Sequence, residues 1–462
     1  MKLFQTQCYP LLILVIPLAL TGLIESGVFF FETLFLAHLG PDELAAGGLV
    51  AWLFGTFAVI LFGVLSSINI LIAQKHGAKD DVSISLIVRD GIWLALLLFI
   101  PSFLLFWNIP SLFLYFGQSP QIVMLATPYL HALVWGLLPD VVMIALLEVI
   151  IGLGHARIIL IFSILASALN VLCSFALIFG KFGLPALGIA GAGWGSSISY
   201  WISALFLMAY VFTNKNYTCY MHYLFKPTHR SYLLELLHIG TPMGLMYCIE
   251  VGFFFILTLL MGRMGSAFLA ANQIALQYMS TLMSVIFSIA QAITVRMGHL
   301  LGAGEVRSAE RVAYLGISMS VFIMLLAAIA YWGFPTFLIT LDLDVKTGRH
   351  PEIISLAKQF LAIAAVFQLI ECSRISLFGA LRGLKDTHFT LYLSILSFWG
   401  LSLPIGYLLA TRLHLGGGGL WWGMVIGSTL CMPILLWRFK TQISRLKPQF
   451  MARTVYNHTN NS

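Results

Sequence analysis

Six carboxylates interrupt stretches of this chain that are otherwise apolar: Glu25, Glu32, Asp140, Glu148, Glu250 and Glu371. A charged side chain at bilayer depth costs about 2.5–3.5 kcal/mol on insertion scales. One base, Arg374, stands in a comparable stretch. One arginine cannot neutralise six acids, so the rest must take up a proton, bind a cation or face water. A carboxyl group in low dielectric gains from either of the first two. Groups that load a proton or a cation on one side and release it on the other are the chemical core of a coupled carrier.

The spacings refine this chemistry. Glu25 and Glu32 are seven residues apart and share one helix face. Asp140 and Glu148 are eight apart, which leaves them about 80° from each other around a helix. Glu250 has no second acid on its own stretch, and Leu257 takes the place equivalent to Glu32. Glu371 and Arg374 are three apart and can pair along a helix. Glu148 precedes the basic His155–Arg157 end by seven residues, so it can also snorkel toward the interface. Asn170 lies deep in an apolar run, where an amide must be hydrogen-bonded. It can bond a neighbouring helix or join Ser174, one turn on, in a cation site. Tyr247 and Phe254 flank Glu250 by about one turn and are candidates for contacting an aromatic cation. Gln273 is a further candidate for substrate contact.

These residues must be held by membrane-spanning helices. Of 462 residues, 60% are hydrophobic and 9% are charged, against about 25% charged in soluble domains. That excludes a soluble enzyme, a nucleic-acid binder and a disordered chain. The net charge of +7 is what basic cytoplasmic loops would produce. The six cysteines are scattered, without metal spacing or a disulfide framework. Twelve apolar stretches fall at about 10–36, 49–74, 87–113, 125–151, 157–180, 189–213, 236–262, 270–297, 310–338, 354–380, 388–411 and 417–438, each near the roughly 20 residues needed to span a bilayer. The first run continues past Pro17 without a small-residue cleavage site, so it reads as a span and not as a signal peptide. An even number of spans puts both termini on one side. With the termini cytoplasmic, 18 of the 25 Lys and Arg residues fall in cytoplasmic segments, which sets the orientation.

The chain also contains a duplication. Residues 17–46 match 242–271 at an offset of 225 with 13 identities in 30, including Pro17/Pro242, Glu25/Glu250, Gly27/Gly252 and Thr33/Thr258. The fourth and tenth spans align at an offset of 231, where Asp140 meets Glu371 and Gly152-Leu153 meets Gly383-Leu384. The sixth and twelfth align at 228, where Trp194-Gly195 meets Trp422-Gly423. The expected organisation is an amino-terminal six-helix lobe (1–213), a cytoplasmic inter-lobe loop (214–235), a carboxy-terminal six-helix lobe (236–438) and a cytoplasmic tail (439–462). Parallel repeats of this kind enclose a central cavity in carriers, and rocking of the lobes alternates its exposure. Pro17 and Pro242 occupy equivalent places and are candidate bending points.

At this point the residues resemble the multidrug and toxic compound extrusion (MATE) family, in its NorM-type branch. The resemblance runs from about Pro17 to Trp437. It is carried by Asn170 to Tyr200 (NVLCSFALIFGKFGLPALGIAGAGWGSSISY), GLGHAR at 152–157, RGLKD at 382–386 and GGLWWG at 418–423. It implies an all-α polytopic fold of twelve helices in two lobes, and export of cationic, often aromatic, compounds in exchange for Na⁺ or H⁺. By resemblance, the family's first-span acid falls on Glu32, its fifth-span Asn on Asn170, its seventh-span Glu on Glu250 and its tenth-span Asp on Glu371. Both usual Asp positions are Glu here, Ile151 replaces the family's Glu, and Ser174 stands where an amide or acid is common. Glu25 and Asp140 are additional acids.

The expectation is therefore an antiporter of the cytoplasmic (inner) membrane, with no cofactor beyond its coupling ion. Glu250 and Glu371 are the first choice for coupling and would be the Na⁺ ligands if sodium is used. Glu32 and Asn170 come second, with Asp140 and Glu25 as further candidates. Expected partners are small cationic organic substrates and membrane lipid, with no nucleic acid, and the chain is expected to be a monomer. A flippase for a lipid-linked saccharide or cell-wall precursor is one alternative, but it would need more Arg and Lys inside the spans than Arg374 alone. A membrane-embedded enzyme is the other, and no HExxH or GxSxG spacing supports it.

Overall fold

A run of spans this apolar leaves its backbone no partner in lipid, so each segment closes its own hydrogen bonds as a helix. The computed structural model describes residues 7–115, 117–224, 231–342 and 351–459. The protein is all-α. Its long apolar helices are α1 (Tyr9–Leu39), α2 (Pro41–Gly77), α3 (Asp81–Tyr115), α4 (Pro120–Val134 and Leu137–Gly152), α5 (Ala156–Phe179), α6 (Ile189–Thr213), α7 (Leu233–Met264), α8 (Ser266–Gly302), α9 (Val306–Gly333), α10 (Pro351–Gly383), α11 (Thr387–Thr411) and α12 (Gly416–Thr459). Eleven of them cross a bilayer by length and composition, and the bent α4 makes twelve if its two parts form one span.

The chain divides into two units, Ile16–Gly244 and Leu245–Ser462 with Met1–Val15. The division therefore falls inside α7 and not in the 214–235 loop. The reason is close packing by small residues. Gly240 lies against the Val64 carbonyl, and a Cβ on Gly244 would stand 2.6 Å from the Val64 side chain and 3.0 Å from the Ile60 carbonyl, which ties the start of α7 to α2. The switch points lie within three residues of Pro17 and Pro242. Residues 439–459 continue α12 as helix. The 214–235 segment holds a short helix, Lys215–Thr218, and a 3₁₀ turn, Cys219–Met221. Residues 225–230 and 343–350, with Lys226, Arg230, Lys346 and Arg349, lie outside the described residues, as does Lys2.

Within the first unit, α4 bends by 50° between its two parts. Pro139 has no N–H, so the Trp135 carbonyl one turn earlier loses its helical donor. The Trp201 indole Nε1 on α6 donates to that carbonyl instead (3.0 Å). Ser197 Oγ donates to the Ala132 carbonyl at the same break (2.6 Å). In the second unit, Pro404 likewise removes the donor for Gly400. The preceding stretch, Ile395–Ser402, relaxes into a π-helix inside α11, a wide turn often found at functional sites.

One corner recurs four times, linking α2–α3, α4–α5, α8–α9 and α10–α11. Asp80, His155, Glu305 and Asp386 each donate a backbone N–H to the carbonyl five residues earlier, on Lys75, Ile150, Leu300 and Leu381 (2.8–3.1 Å). The preceding residues, Lys79, Gly154, Gly304 and Lys385, all have positive φ. This is the Schellman closure of a helix end. Its recurrence shows that both units repeat the same turn at matched places.

Candidate functional site

The first unit builds a polar site on α1, α5 and α6. Ser196 Oγ donates to Glu32 Oε1 (3.0 Å). Asn170 Nδ2 donates to Ser199 Oγ (3.2 Å) and to Ser196 Oγ (3.4 Å). Glu32, Asn170, Ser196 and Ser199 are all buried. Asn170 Oδ1 and Ser174 Oγ are buried without a hydrogen-bond partner among the described residues. The helices approach closely because glycines line the facing side of α6. A Cβ on Gly195 would stand 2.6 Å from the Ser174 backbone, and one on Gly191 would stand 2.6 Å from the Leu177 carbonyl. Beside Glu32 is a cavity of about 20 Å³, also lined by Phe29, Thr33 and Tyr129. That is room for about one water-sized guest. Glu32 borders this void and, through Ser196, joins an uncommitted amide oxygen and hydroxyl oxygens, the hard-ligand chemistry that suits a proton, a water or a small cation.

Glu25 and Asp140 lie elsewhere in the same unit. Asp140 on α4 is buried, Glu25 on α1 is exposed, and each lies within the electrostatic reach of the other. Ser163 on α5 lies next to Glu25, within hydrogen-bonding reach of its carboxylate. Between α1 and α5 runs an apolar cleft of about 620 Å³, with Phe31, Phe35, Ile164, Val171 and Phe175 among its walls. Glu148 does not snorkel. It is 1% exposed and accepts a hydrogen bond from Asn69 Nδ2 on α2.

The second unit brings Glu250 and Glu371 together around Arg374. Arg374 Nε donates to Glu371 Oε2 (2.9 Å), and its Nη2 donates to Glu371 Oε1. Its Nη1 donates to Glu250 Oε1 (3.0 Å) and to Ser394 Oγ (3.2 Å). Ser394 Oγ donates to Glu250 Oε1 (3.0 Å), and Ser428 Oγ donates to Glu371 Oε2 (3.4 Å). The guanidinium lies over the rings of Phe378 (4.6 Å) and Phe398 (4.9 Å). The helical pairing allowed by the Glu371/Arg374 spacing is present, and it extends across helices to Glu250.

The candidate substrate contacts are dispersed. Tyr247 is buried and carries the Arg382 guanidinium 5.4 Å from its ring centroid. Phe254 packs on Phe253 and Phe398. Gln273 is exposed, whereas its neighbour Asn272 is buried and accepts from the Trp421 indole (3.2 Å). Arg382, counted among cytoplasmic loop residues in the sequence, is 7% exposed, and its Nε has no hydrogen-bond partner among the described residues. Ser196, Ser199, Ser394 and Ser428 complete the two sites, but single serines in apolar helices carry no spacing signal. Ser394 was legible only through the repeat, since Ser163-Ile164-Leu165 recurs as Ser394-Ile395-Leu396 at the same offset of 231.

Comparison with known proteins is consistent across the chain. A family model described as MatE matches residues 17–176 and 242–408. A "Probable multidrug resistance protein NorM" from Synechocystis sp. is 32% identical over 453 residues, covering 97% of this chain and 98% of that protein. A protein of the same name from Pseudomonas aeruginosa is 34% identical over 439 residues, covering 94% and 90%. Among solved structures, an outward-facing "multidrug resistance MATE family transporter of the MOP superfamily" superposes with a TM-score of 0.87 at 21% identity, covering 97% of this chain and 98% of that one. A MOP superfamily transporter from Pyrococcus furiosus superposes with a TM-score of 0.86 at 22% identity, covering 95% and 96%. These structures share the fold.

Proposed function

The chain belongs to the MatE family of multi-pass membrane transporters, and on that premise we propose that it is a secondary antiporter exporting cationic, aromatic compounds in exchange for H⁺ or Na⁺. The observation that carries this reading is the Glu32–Ser196–Asn170 network, with its unclaimed amide oxygen and the void beside Glu32. A proton or a small cation satisfies that carboxylate, and an organic cation nearby competes for the same charge. The two cannot both be accommodated at full strength, and that exclusion is the coupling. The apolar cleft between α1 and α5 has the size of a drug site and aromatic walls for the organic body. In the second unit Glu250, the repeat counterpart of Glu25, and Glu371 are both tied to Arg374. The names of the NorM relatives support multidrug export as the physiological role. The bacterial NorM relatives support placement in the inner membrane, and the basic-residue count supports cytoplasmic termini.

The test is efflux of a fluorescent cationic dye from proteoliposomes, driven separately by an imposed proton gradient and an imposed sodium gradient. One gradient should drive export by the wild type. Glu32→Gln should slow that export by about tenfold or more, the scale of an ordinary coupling between sites. Equal gradient-driven efflux by wild type and Glu32→Gln would remove Glu32 from the mechanism. Failure of both gradients to drive efflux would reject the antiport reading.

A further inference from the structure

The two units contain the same acid pair in the same register, and only one of them carries an arginine. Glu25 corresponds to Glu250 at the offset of 225, and Asp140 to Glu371 at 231. Ser163 corresponds to Ser394 at 231, and Tyr200 to Ser428 at 228. The correspondence is spatial as well as sequential. Ser163 lies by Glu25 as Ser394 lies by Glu250, and Tyr200 lies within the electrostatic reach of Asp140 as Ser428 bonds Glu371. The position matching Arg374 is Met143. Ser163 stands by Glu25 with Met143 at the arginine's position, while Ser394 is engaged by Arg374 and Glu250.

We propose that Arg374 is a positioning residue that fills one of the two cation places created by the duplicated acid pair, so that the second unit exchanges one cation fewer than its two carboxylates would otherwise take. Its guanidinium grips both oxygens of Glu371 and one of Glu250. It is 1% exposed and stacked between Phe378 and Phe398, so it cannot swing out to water as a surface arginine does. A fork-shaped, permanently charged group suits this role better than a mobile ion would. Glu371 is thereby neutralised from within the fold, and the remaining formal charge of the trio belongs to Glu250. The groups facing the guanidinium are Glu250 from α7, Glu371 and Phe378 from α10, Ser394 and Phe398 from α11, and Ser428 and Cys431 from α12. None of these besides Glu250 and Glu371 is a carboxylate. In the first unit Met143 stands where Arg374 would be, and among the described residues Glu25 and Asp140 keep both places open.

The inference rests on the cation-coupled reading of these acids, but its test is an equilibrium count and not a transport assay. The number of protons taken up per purified chain across the near-neutral range is measured by potentiometric titration, with helical content and a monodisperse elution profile as folding controls. Arg374→Met, which installs the residue of the first unit, should bind one additional proton. Arg374→Lys should match the wild type, and the double variant Arg374→Met/Glu371→Gln should return to the wild-type count. In the other direction, Met143→Arg should bind one proton fewer by pairing with Asp140 three residues earlier. If folded Arg374→Met and Met143→Arg both keep the wild-type count, the proposal is overturned. If Arg374→Met does not fold, the Met143→Arg count decides alone. Loss of dye export in the wild type would reject the antiport reading and leave these counts unaffected.

Discussion

At the scale of single residues, what matters is whether a buried polar group has all its partners. Glu148 and Asp140 are eight positions apart on one helix and meet different fates. Glu148 accepts from Asn69, and Asp140 faces the field of Glu25. No spacing rule separates them, because the partner comes from another helix. The same holds at the α4–α5 corner. His155 Nδ1 lies 2.7 Å from the Tyr217 hydroxyl, which anchors the short helix after α6. Loss of water around the ring, reinforced by His76, holds the His155 imidazole below its ordinary value of 6.5. The fold thus favours the neutral ring. Its contribution to stability is present above the ordinary value and is lost as the pH falls through the lower folded value. The melting temperature of the wild type should drop between about pH 7.5 and about pH 5.5, the range in which histidine titrates. His155→Gln should drop less over the same interval, and identical pH profiles would show that the ring does not report on this contact.

At the scale of helices, small residues decide which faces meet. Gly379 on α10 lies against the Ala290 carbonyl of α8, and Thr294 Oγ1 bridges to both the Ala290 and Gly379 carbonyls (3.0 and 2.7 Å). Close approach of small residues is how membrane helices gain packing without a hydrophobic drive between them. Gly379→Val should lower stability by about 1–3 kcal/mol or more, the usual cost of overpacking. Gly55→Ala on α2, where an added Cβ has nothing within 4 Å, should be close to neutral. Thermal unfolding of the purified variants compares the two, and equal losses would contradict this account of the interface. The paired glycines were visible beforehand as repeat matches, such as Gly152 with Gly383. Each now has a contact: Gly152 on Ile72 and Asn69, Gly383 on Met297 and Thr294. The π-helix of α11 was not visible. It follows from Pro404 together with the need to set Ser394 and Phe398 against Arg374.

At the scale of the whole molecule, orientation is the open quantity with the most direct assay. The proposed orientation puts the segment after α6 in the cytoplasm, and Cys219 in that segment is exposed. With Cys219 as the sole cysteine, a membrane-impermeant maleimide should label inverted vesicles and leave intact cells unlabelled. The opposite pattern would invert the topology. The twelve expected stretches correspond to the helices found, with one span bent and one boundary moved. Helix boundaries shifted by a few residues at most ends, but the last span lengthened to Thr459.

Membrane class, number of spans, duplication and the identity of the acids were all legible in the amino-acid order. Each depends on local quantities: the length of an apolar run, the side of a charge bias, or the recurrence of Pro17, Glu25 and Gly27 at a constant offset. Family membership follows from the same one-dimensional pattern. Tertiary structure alone decided which acids are already satisfied. The sequence ranks Glu250 and Glu371 ahead of Glu32, yet the folded chain gives that pair an arginine and leaves Asn170 Oδ1 beside Glu32 without a donor. Charge balance at a buried site depends on distances of about 3 Å between groups more than a hundred residues apart. Only packing brings such groups together, so their partnership cannot be read along the chain.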